Sequence, residues 1–210
     1  MIQHKLDQVE DGIFQELSQL PRWKIAAFSA SCSERFVGLY EDFSEKASWG
    51  NFNLLRHSLN LAWDFLSGEQ VSEEQLQSAI SDIDRLVPHV NDFDLVETTL
   101  AQDACICVVQ ALAWCVGESD SPPSIVEYSF EALLVARTCA FTGCLDLGDS
   151  PEAAEFEEIL VRDPYITKEI RLQREDLQAL RSEEASRDTL ITLRKKAVQN
   201  QWKAADLLEK

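Results

Sequence analysis

The chain has 210 residues, 45% of them hydrophobic, which is enough to form one sizeable core, so we expect a single domain over residues 1–210. Its formal net charge of −18, from 37 acidic and 19 basic residues, opposes binding to nucleic acid and to anionic membranes, since both require clustered Lys and Arg. Seven Gly and six Pro are too few for the many tight turns of a β-sandwich or barrel.

Hydrophobic residues three or four positions apart predict three N-terminal helices, over residues 2–17, 21–43 and 53–66. Pro21 suits the first turn of the second helix, because a proline there loses no helical hydrogen bond. Ser72 and Gln75 have the spacing of a capping box, which predicts that a fourth helix begins there. We expect that helix to end near Pro88.

A fifth helix is predicted over residues 94–116, and it should be the most buried, since the run 104–116 is apolar on all its faces. The run itself is too short to cross a membrane. Adjacent prolines cannot continue a helix, so residues 117–124 are predicted to form a loop. A sixth helix then follows over residues 125–147.

Two further helix starts are predicted where a capping side chain precedes a proline, as in Ser150-Pro151 and Asp163-Pro164. The first of these predicts a short helix over residues 151–160. The last 46 residues contain no further Gly or Pro, so they are predicted to form one or two long helices, with residues 181–188 the most favourable place for a break. We therefore predict an all-α, single-domain multi-helix bundle of about seven or eight helices, with a long C-terminal helix or helix pair.

The N-terminal residues lack the apolar core of a signal peptide, so we expect the protein to be cytoplasmic. Its six cysteines are then expected to be reduced, because that compartment keeps thiols reduced. No cysteine pair has the spacing of a zinc-ribbon or redox motif. All six cysteines also lie among apolar residues, where a thiol behaves as a small hydrophobe.

No metal or cofactor site is predicted from the motifs of the chain. Dimetal helical bundles use Glu-x-x-His pairs, and none of the three histidines follows a Glu at that spacing. Asp92, Asp94, Glu97 and Asp103 form the best carboxylate group, but acids at the start of a helix are also favoured by its dipole. The P-loop, G-x-G-x-x-G and G-x-S-x-G motifs are absent, so we expect no nucleotide cofactor.

Several segments of the chain resemble the bacterial family called domain of unknown function 416, or the YjaG family. They lie at residues 23–43, 53–68, 91–112 and 163–180. The shared elements include Glu34-Arg35, Asp92-Phe93-Asp94-Leu95, Asp103-Ala104, and the C-terminal residues Pro164, Glu169, Gln173 and Glu175. The resemblance implies a compact helical bundle, and it implies no particular activity.

Two hypotheses about function follow from these observations. The leading one is a non-enzymatic interaction or regulatory protein, because residues 57–136 carry 14 acidic side chains against one basic, Arg85. A basic protein is the partner that such a surface would attract. A homodimer is a further expectation under this hypothesis. The alternative is a small-molecule or divalent-metal-dependent enzyme with a carboxylate and arginine site between helices.

The candidate residues for a functional cluster are Glu34, Arg35, Asp92, Asp94 and Asp103. An arginine beside carboxylates orients a substrate well, but the same pair also serves as a tie between helices. For Asp103 we expect a structural role, because a carboxylate next to the apolar run must find hydrogen-bond donors.

The C-terminal stretch 189–210 holds five basic and two acidic residues beside a strongly negative body. We expect it to pack as a helix on the rest of the bundle, mainly through apolar contacts. The residues that would supply these contacts are Leu190, Leu193, Val198 and Trp202.

Overall fold

The structure is a computed structural model that describes residues 3–118, 125–143, 158–182 and 185–209. Within these ranges the elements are helices, in chain order α1 Gln3–Leu17, α2 Arg22–Ala47, α3 Phe52–Leu66, α4 Glu73–Ile83, α5 Glu97–Val116, α6 Ile125–Thr142, α7 Pro164–Arg181, α8 Arg187–Gln199 and α9 Ala204–Leu208. One further helical turn lies at residues 158–161, and the described ranges contain no strand. The predicted all-α class is confirmed.

Two helices, α2 and α5, pack against each other at the centre of the bundle. The helices α3 and α6 pack against both of them, α4 packs on α5, and α7 and α8 pack on α2. Every side chain of α2 from Ile25 to Tyr40 is buried, and the small residues in that run, such as Ala26 and Ala30, allow close helix approach. The central position is therefore shared by α2 and α5, where the sequence predicted α5 alone.

Among the described residues, α5 is the helix whose length and composition would suit a bilayer span. The helix is longer than the apolar run 104–116, because it begins at Glu97 and has 20 residues. Most side chains of α5 are buried against the neighbouring helices.

The predicted capping signals lie at the observed helix ends. Ser72 and Gln75 form the predicted capping box, in which each side chain bonds to the other residue's amide. The side chain of Asp163 accepts hydrogen bonds from the first turn of α7, with Pro164 at the first helical position. The predicted break near 181–188 separates α7 from α8.

Several predicted boundaries are wrong by a few residues. Pro21 caps α2 from outside the helix, α4 ends at Ile83 well before Pro88, and α5 begins three residues after Asp94. The end of α4 and the start of α5 differ because residues 84–96 form turns that pack on the bundle, a tertiary effect without a local sequence signal. The loop tip at 119–124, the end of the sixth helix after residue 143 and most of the predicted helix 151–160 lie outside the described residues.

Candidate functional site

A buried cluster of charged side chains joins α2 to α7. The guanidinium of Arg35 donates to Glu169 through Nε and Nη2, with the Nη2 to Oε1 distance 2.7 Å, and through Nη1 to Asp176 Oδ2, also at 2.7 Å. Its remaining bonds go to Ser31 Oγ at 3.2 Å and Cys32 Sγ at 3.2 Å. Each nitrogen of Arg35 therefore has a partner within the protein.

The charges of this cluster balance, because Lys196 of α8 is a second cation beside the two carboxylates. Its Nζ lies 2.9 Å from Asp176 Oδ1. Burial by itself lowers the pKa of the Arg35 guanidinium, but the carboxylates of Glu169 and Asp176 outweigh burial and raise that pKa well above its usual value. A paired and hydrogen-bonded set of this kind ties helices together, and removal of one member would leave a buried charge uncompensated.

The α7 half of the cluster comes from Glu169, Gln173 and Asp176, which occupy positions i, i+4 and i+7. This spacing places three polar side chains on one buried helical face. Gln173 Nε2 donates to Glu169 at 3.1 Å and to Ser129 of α6 at 2.8 Å. Glu169 and Gln173 are part of the family motif, but the pairing of Arg35 with Glu169 and Asp176 was not predicted, although a polar i, i+4, i+7 pattern among leucines was the available signal.

The segment between α8 and α9 covers this cluster. The indole Nε1 of Trp202 donates to Glu169 at 3.1 Å, and Lys203 Nζ lies 2.9 Å from Glu41. A Cβ added at Gly38 of α2 would lie 2.9 Å from the carbonyl oxygen of Trp202, so glycine is what lets the segment approach the helix. Trp202, Leu190 and Leu193 are buried, which agrees with the predicted packing of the C-terminal stretch.

Val198 does not take part in that packing, contrary to the sequence prediction. Its side chain is 48% exposed, because it lies on the outer face of α8, away from the face that carries Leu190 and Leu193.

Glu34 belongs to a second buried network, between α2 and α3. Its carboxylate accepts hydrogen bonds from Arg56, from Trp63 Nε1 at 3.1 Å and from Gln201 Nε2 at 3.1 Å, and Arg194 Nε lies 3.9 Å away. Glu34 and Arg35 are adjacent in the chain, yet they point into different sets of partners. Both networks are closed by the same C-terminal segment.

A third buried pair holds α9. Arg137 of α6 donates through Nε to Asp163 at 2.9 Å and through Nη1 to the carbonyl oxygens of Leu207 and Glu209, each at 2.6 Å. Carbonyl groups at the end of a helix have no partner within it, so Arg137 stabilises the C-terminal end of α9.

Asp103 of α5 is only 5% exposed, and its Oδ2 atom has no hydrogen-bond partner. The expectation that this carboxylate finds donors is therefore not met at Oδ2, and the neighbouring charge is that of Glu131 on α6, another acid. Burial raises the pKa of Asp103 to about 7, and the negative charge of Glu131 adds to that rise.

Asp92 and Asp94 are exposed on the connection between α4 and α5. Between them, the ring of Phe93 packs edge-on against Phe43 with 5.1 Å between centroids. No hydrogen bond or ion pair joins any two of Glu34, Arg35, Asp92, Asp94 and Asp103, all of which lie in the described part of the chain. The five candidates are therefore not joined into one bonded cluster: Glu34 and Arg35 enter separate buried networks, whereas Asp92 and Asp94 are exposed.

The described residues contain no group of three His, Cys, Asp or Glu side chains arranged to hold a metal ion. Cys32, Cys105, Cys107 and Cys115 are buried, and burial raises the pKa of each thiol, that of Cys115 to about 12. These four thiols are thus poor nucleophiles and poor metal ligands in the native fold. Cys144 lies outside the described residues.

A surface that we call the acidic face runs along α4 and the connection to α5, over residues 73–94. It consists of five exposed carboxylates that have no ion-pair partner among the described residues, namely Glu73, Glu74, Asp84, Asp92 and Asp94. The one basic side chain in the stretch is Arg85, which pairs with Asp82 at 3.3 Å.

Comparison with known proteins places the fold and these networks in a family. The family described as a protein of unknown function (DUF416) matches residues 12–203. The chain belongs to the DUF416 family. The resemblance drawn from the four segments is therefore confirmed, and the match includes both buried networks and the acidic face.

Relatives within the DUF416 family are distant in sequence. The uncharacterised protein YjaG of Escherichia coli (strain K12) is 26% identical over 100 residues, which is 48% of this chain and 50% of that protein. YjaG of Salmonella typhimurium is 24% identical over 104 residues, and an uncharacterised protein of Haemophilus influenzae is 25% identical over 105 residues. Each alignment spans about half the length of the relative.

The fold also matches a crystal structure of a DUF416 family protein from Shewanella baltica OS155. The TM-score is 0.70 at 17% sequence identity, over 91% of this chain and 95% of that chain. At this identity the similarity supports the shared fold alone. The family description and the names of the relatives state no activity.

Proposed function

We propose that this protein is a non-enzymatic binding protein that acts in the cytoplasm and that its acidic face docks a basic segment of another protein. The observation that carries the proposal is the group of five unpaired, exposed carboxylates over residues 73–94. A surface of one sign attracts a partner of the opposite sign and speeds its association.

Helix stability accounts for only part of the acidic face. Glu73 and Glu74 lie in the first turn of α4, where the helix dipole favours negative charge. Asp84 follows the last residue of α4, where the dipole disfavours a carboxylate. An acid in an unfavourable position, with Asp92 and Asp94 exposed on the connection beyond it, supports a role in binding.

Several acidic side chains elsewhere on the surface are paired with basic residues of the C-terminal third. Glu16 pairs with Arg181 at 2.8 Å, Glu69 with Arg187 at 2.7 Å, and Glu41 with Lys203 at 2.9 Å. Within residues 73–94 such partners are scarce, since Arg85 is the one basic side chain there.

The enzyme alternative required an arginine and carboxylate site open to a substrate. The Arg35 cluster is buried and its donors are engaged by Glu169, Asp176 and other protein groups, so it supports the interhelical tie. The thiols of Cys32 and Cys105 are buried and form no disulfide, which is consistent with a reducing compartment.

Binding of a fluorescent oligolysine peptide, measured by anisotropy, tests the proposal. A variant in which the five acids of the acidic face become amides should bind roughly tenfold more weakly, which corresponds to a loss of about 1.4 kcal/mol. Affinity of the wild type should fall steeply with salt, because exposed charges are screened.

The matched control neutralises five exposed acids outside the acidic face, and so changes the net charge by the same amount. Its substitutions are Asp11→Asn, Glu45→Gln, Glu127→Gln, Asp206→Asn and Glu209→Gln. Retention of near wild-type affinity by this control supports a localised docking surface. An equal loss in both variants would show that only net charge matters and would contradict the proposal.

A further inference from the structure

The outer face of α8 carries an exposed stripe that none of the buried networks uses. Asp188, Ile191, Lys195 and Val198 lie three, four and three positions apart, which places them within about 80° around a helix of 3.6 residues per turn. The side chains of Ile191 and Val198 are 56% and 48% exposed. Two large aliphatic side chains thus face outward about two turns apart on one helix.

An apolar groove of about 440 Å³ lies beside this stripe, between α3 and α8. Its wall includes the ring of Trp63 and the side chains of Leu190, Ile191 and Val198, with Lys195 at the edge. The stripe and the groove together offer a continuous apolar surface where another helix can pack.

Asp188 and Lys195 are the two charged residues of the stripe, and neither forms an ion pair with a described residue. The other basic side chains nearby are engaged: Arg187 pairs with Glu69, and Lys196 with Glu175 and Asp176. The stripe therefore presents one free carboxylate and one free ammonium group on either side of Ile191.

We propose that a second copy of this chain packs against this stripe, with the two α8 helices antiparallel about a twofold axis close to Ile191. An axis midway between residues 188 and 195 leaves each of them about 5 Å away along the helix, at a rise of 1.5 Å per residue. Asp188 then lies opposite the partner's Lys195, and Lys195 lies opposite the partner's Asp188. The same four residues supply both halves of the interface, as a twofold contact requires.

Charge supports a second copy at this face in particular. The chain carries a formal net charge of −18, so two copies repel each other across most of their surfaces. Residues 187–203 hold a single acid, Asp188, and four of their five basic side chains pair with acids of other segments, so this part of the surface is close to neutral. A seam on α8 brings together the parts of the two copies where repulsion between carboxylates is smallest.

Sedimentation velocity over a concentration series tests the proposal. An interface formed by one pair of helices should bury less than about 1,200 Å² of total surface, so we expect the dimer to be in equilibrium with the monomer. The variants Asp188→Lys and Lys195→Asp should each have a dimer dissociation constant at least tenfold higher than that of the wild type, because each places like charges opposite each other. Neither side chain is buried, so both variants should fold, and Asp188→Lys should lower the melting temperature slightly because it places a cation in the first turn of α8.

Restoration of the pairing is the decisive measurement. The double variant with both changes exchanges the charges and should dimerise like the wild type. An equimolar mixture of the two single variants should form a heterodimer, because every carboxylate then lies opposite an ammonium group. Dimerisation that is insensitive to the single changes, or not restored in the double variant and the mixture, would overturn the arrangement.

Val198→Asp should also weaken the dimer, because it places a charge at the apolar seam. The matched control is Val90→Asp, since Val90 is equally exposed, at 48%, but lies on the connection between α4 and α5. This control should leave the dimer unchanged. A wild-type protein that stays monomeric up to millimolar concentration would refute the proposal and would leave the stripe to a different partner.

Discussion

The main-chain N–H of Trp202 donates a hydrogen bond to the carbonyl oxygen of Arg35 at a distance of 2.8 Å. The two residues come from opposite ends of the chain, and the bond sets the C-terminal segment across the middle of α2. The same tryptophan donates from its indole to Glu169, the carboxylate that binds the Arg35 side chain. Trp202 therefore contacts both the main chain of Arg35 and the carboxylate that binds the Arg35 side chain.

Trp202→Ala should lower the free energy of unfolding by about 3–5 kcal/mol, the range for truncation of a buried aromatic residue. It removes the apolar contacts of the ring and one hydrogen bond to the buried Glu169. Urea unfolding followed by circular dichroism measures the change.

The comparison for this variant is the double change of Lys195 and Lys196 to Ala. We expect it to cost less, about 1–3 kcal/mol, because only Lys196 bonds a buried carboxylate, that of Asp176. Its cost should also shrink at high salt, whereas the cost of Trp202→Ala should not. A larger loss in the lysine variant would show that charge, not apolar burial, holds the C-terminal stretch.

Gly38→Ala should destabilise the fold by about 1–3 kcal/mol, as overpacking typically does. The new Cβ would lie 2.9 Å from the backbone oxygen of Trp202, so the C-terminal segment has to move. Gly12→Ala is the matched control, since it lies in α1 with no atom within 4 Å of the added Cβ. Helix propensity predicts that this control gains about 0.5–1 kcal/mol, and equal effects of the two changes would contradict the close approach.

Asp103 should make stability depend on pH between about 4 and 7. Its pKa is raised from 3.8 to about 7 in the folded state, so the folded protein binds the extra proton within that window. The contribution of this proton is fully present below the unfolded-state pKa and is lost as pH rises through the folded pKa.

Asp103→Asn keeps the shape of the side chain and removes the titration. The difference in urea midpoint between variant and wild type should therefore grow in favour of the variant as pH rises toward 7, and level off above it. With Glu131→Gln in the background, the difference should level off at a lower pH, because the charge of Glu131 contributes to the raised pKa of Asp103. A difference that is constant from pH 4 to 8 would show that Asp103 is charged throughout.

All six thiols should react with Ellman's reagent after denaturation without reductant. In the native protein the four buried thiols, those of Cys32, Cys105, Cys107 and Cys115, should react at least tenfold more slowly than in the denatured protein. They are shielded, and burial raises the pKa of each. Two or more missing thiols in freshly purified, denatured protein would disprove the expected reduced state.

Local signals account for the parts of the fold that were predicted correctly. The capping box of Ser72 and Gln75 and the Asp163-Pro164 start act between residues at most three positions apart, so the order of residues is sufficient to reveal them. Leu190, Leu193 and Trp202 were likewise identified as contacts from their apolar side chains, but Val198 was included with them and is exposed. The family resemblance was also visible in the sequence, because its motifs are continuous segments.

By itself, the sequence determined the helical class, most helix positions, the acidic character of the region around α4 and membership of the DUF416 family. Only the tertiary structure decided that Arg35 pairs with Glu169 and Asp176, that Glu34 joins a different network, and that the Oδ2 atom of Asp103 is left without a donor. The physical reason is that capping and amphipathic periodicity act over one or two helical turns. A buried ion pair instead depends on which distant helices pack together and on the direction in which each side chain leaves its helix.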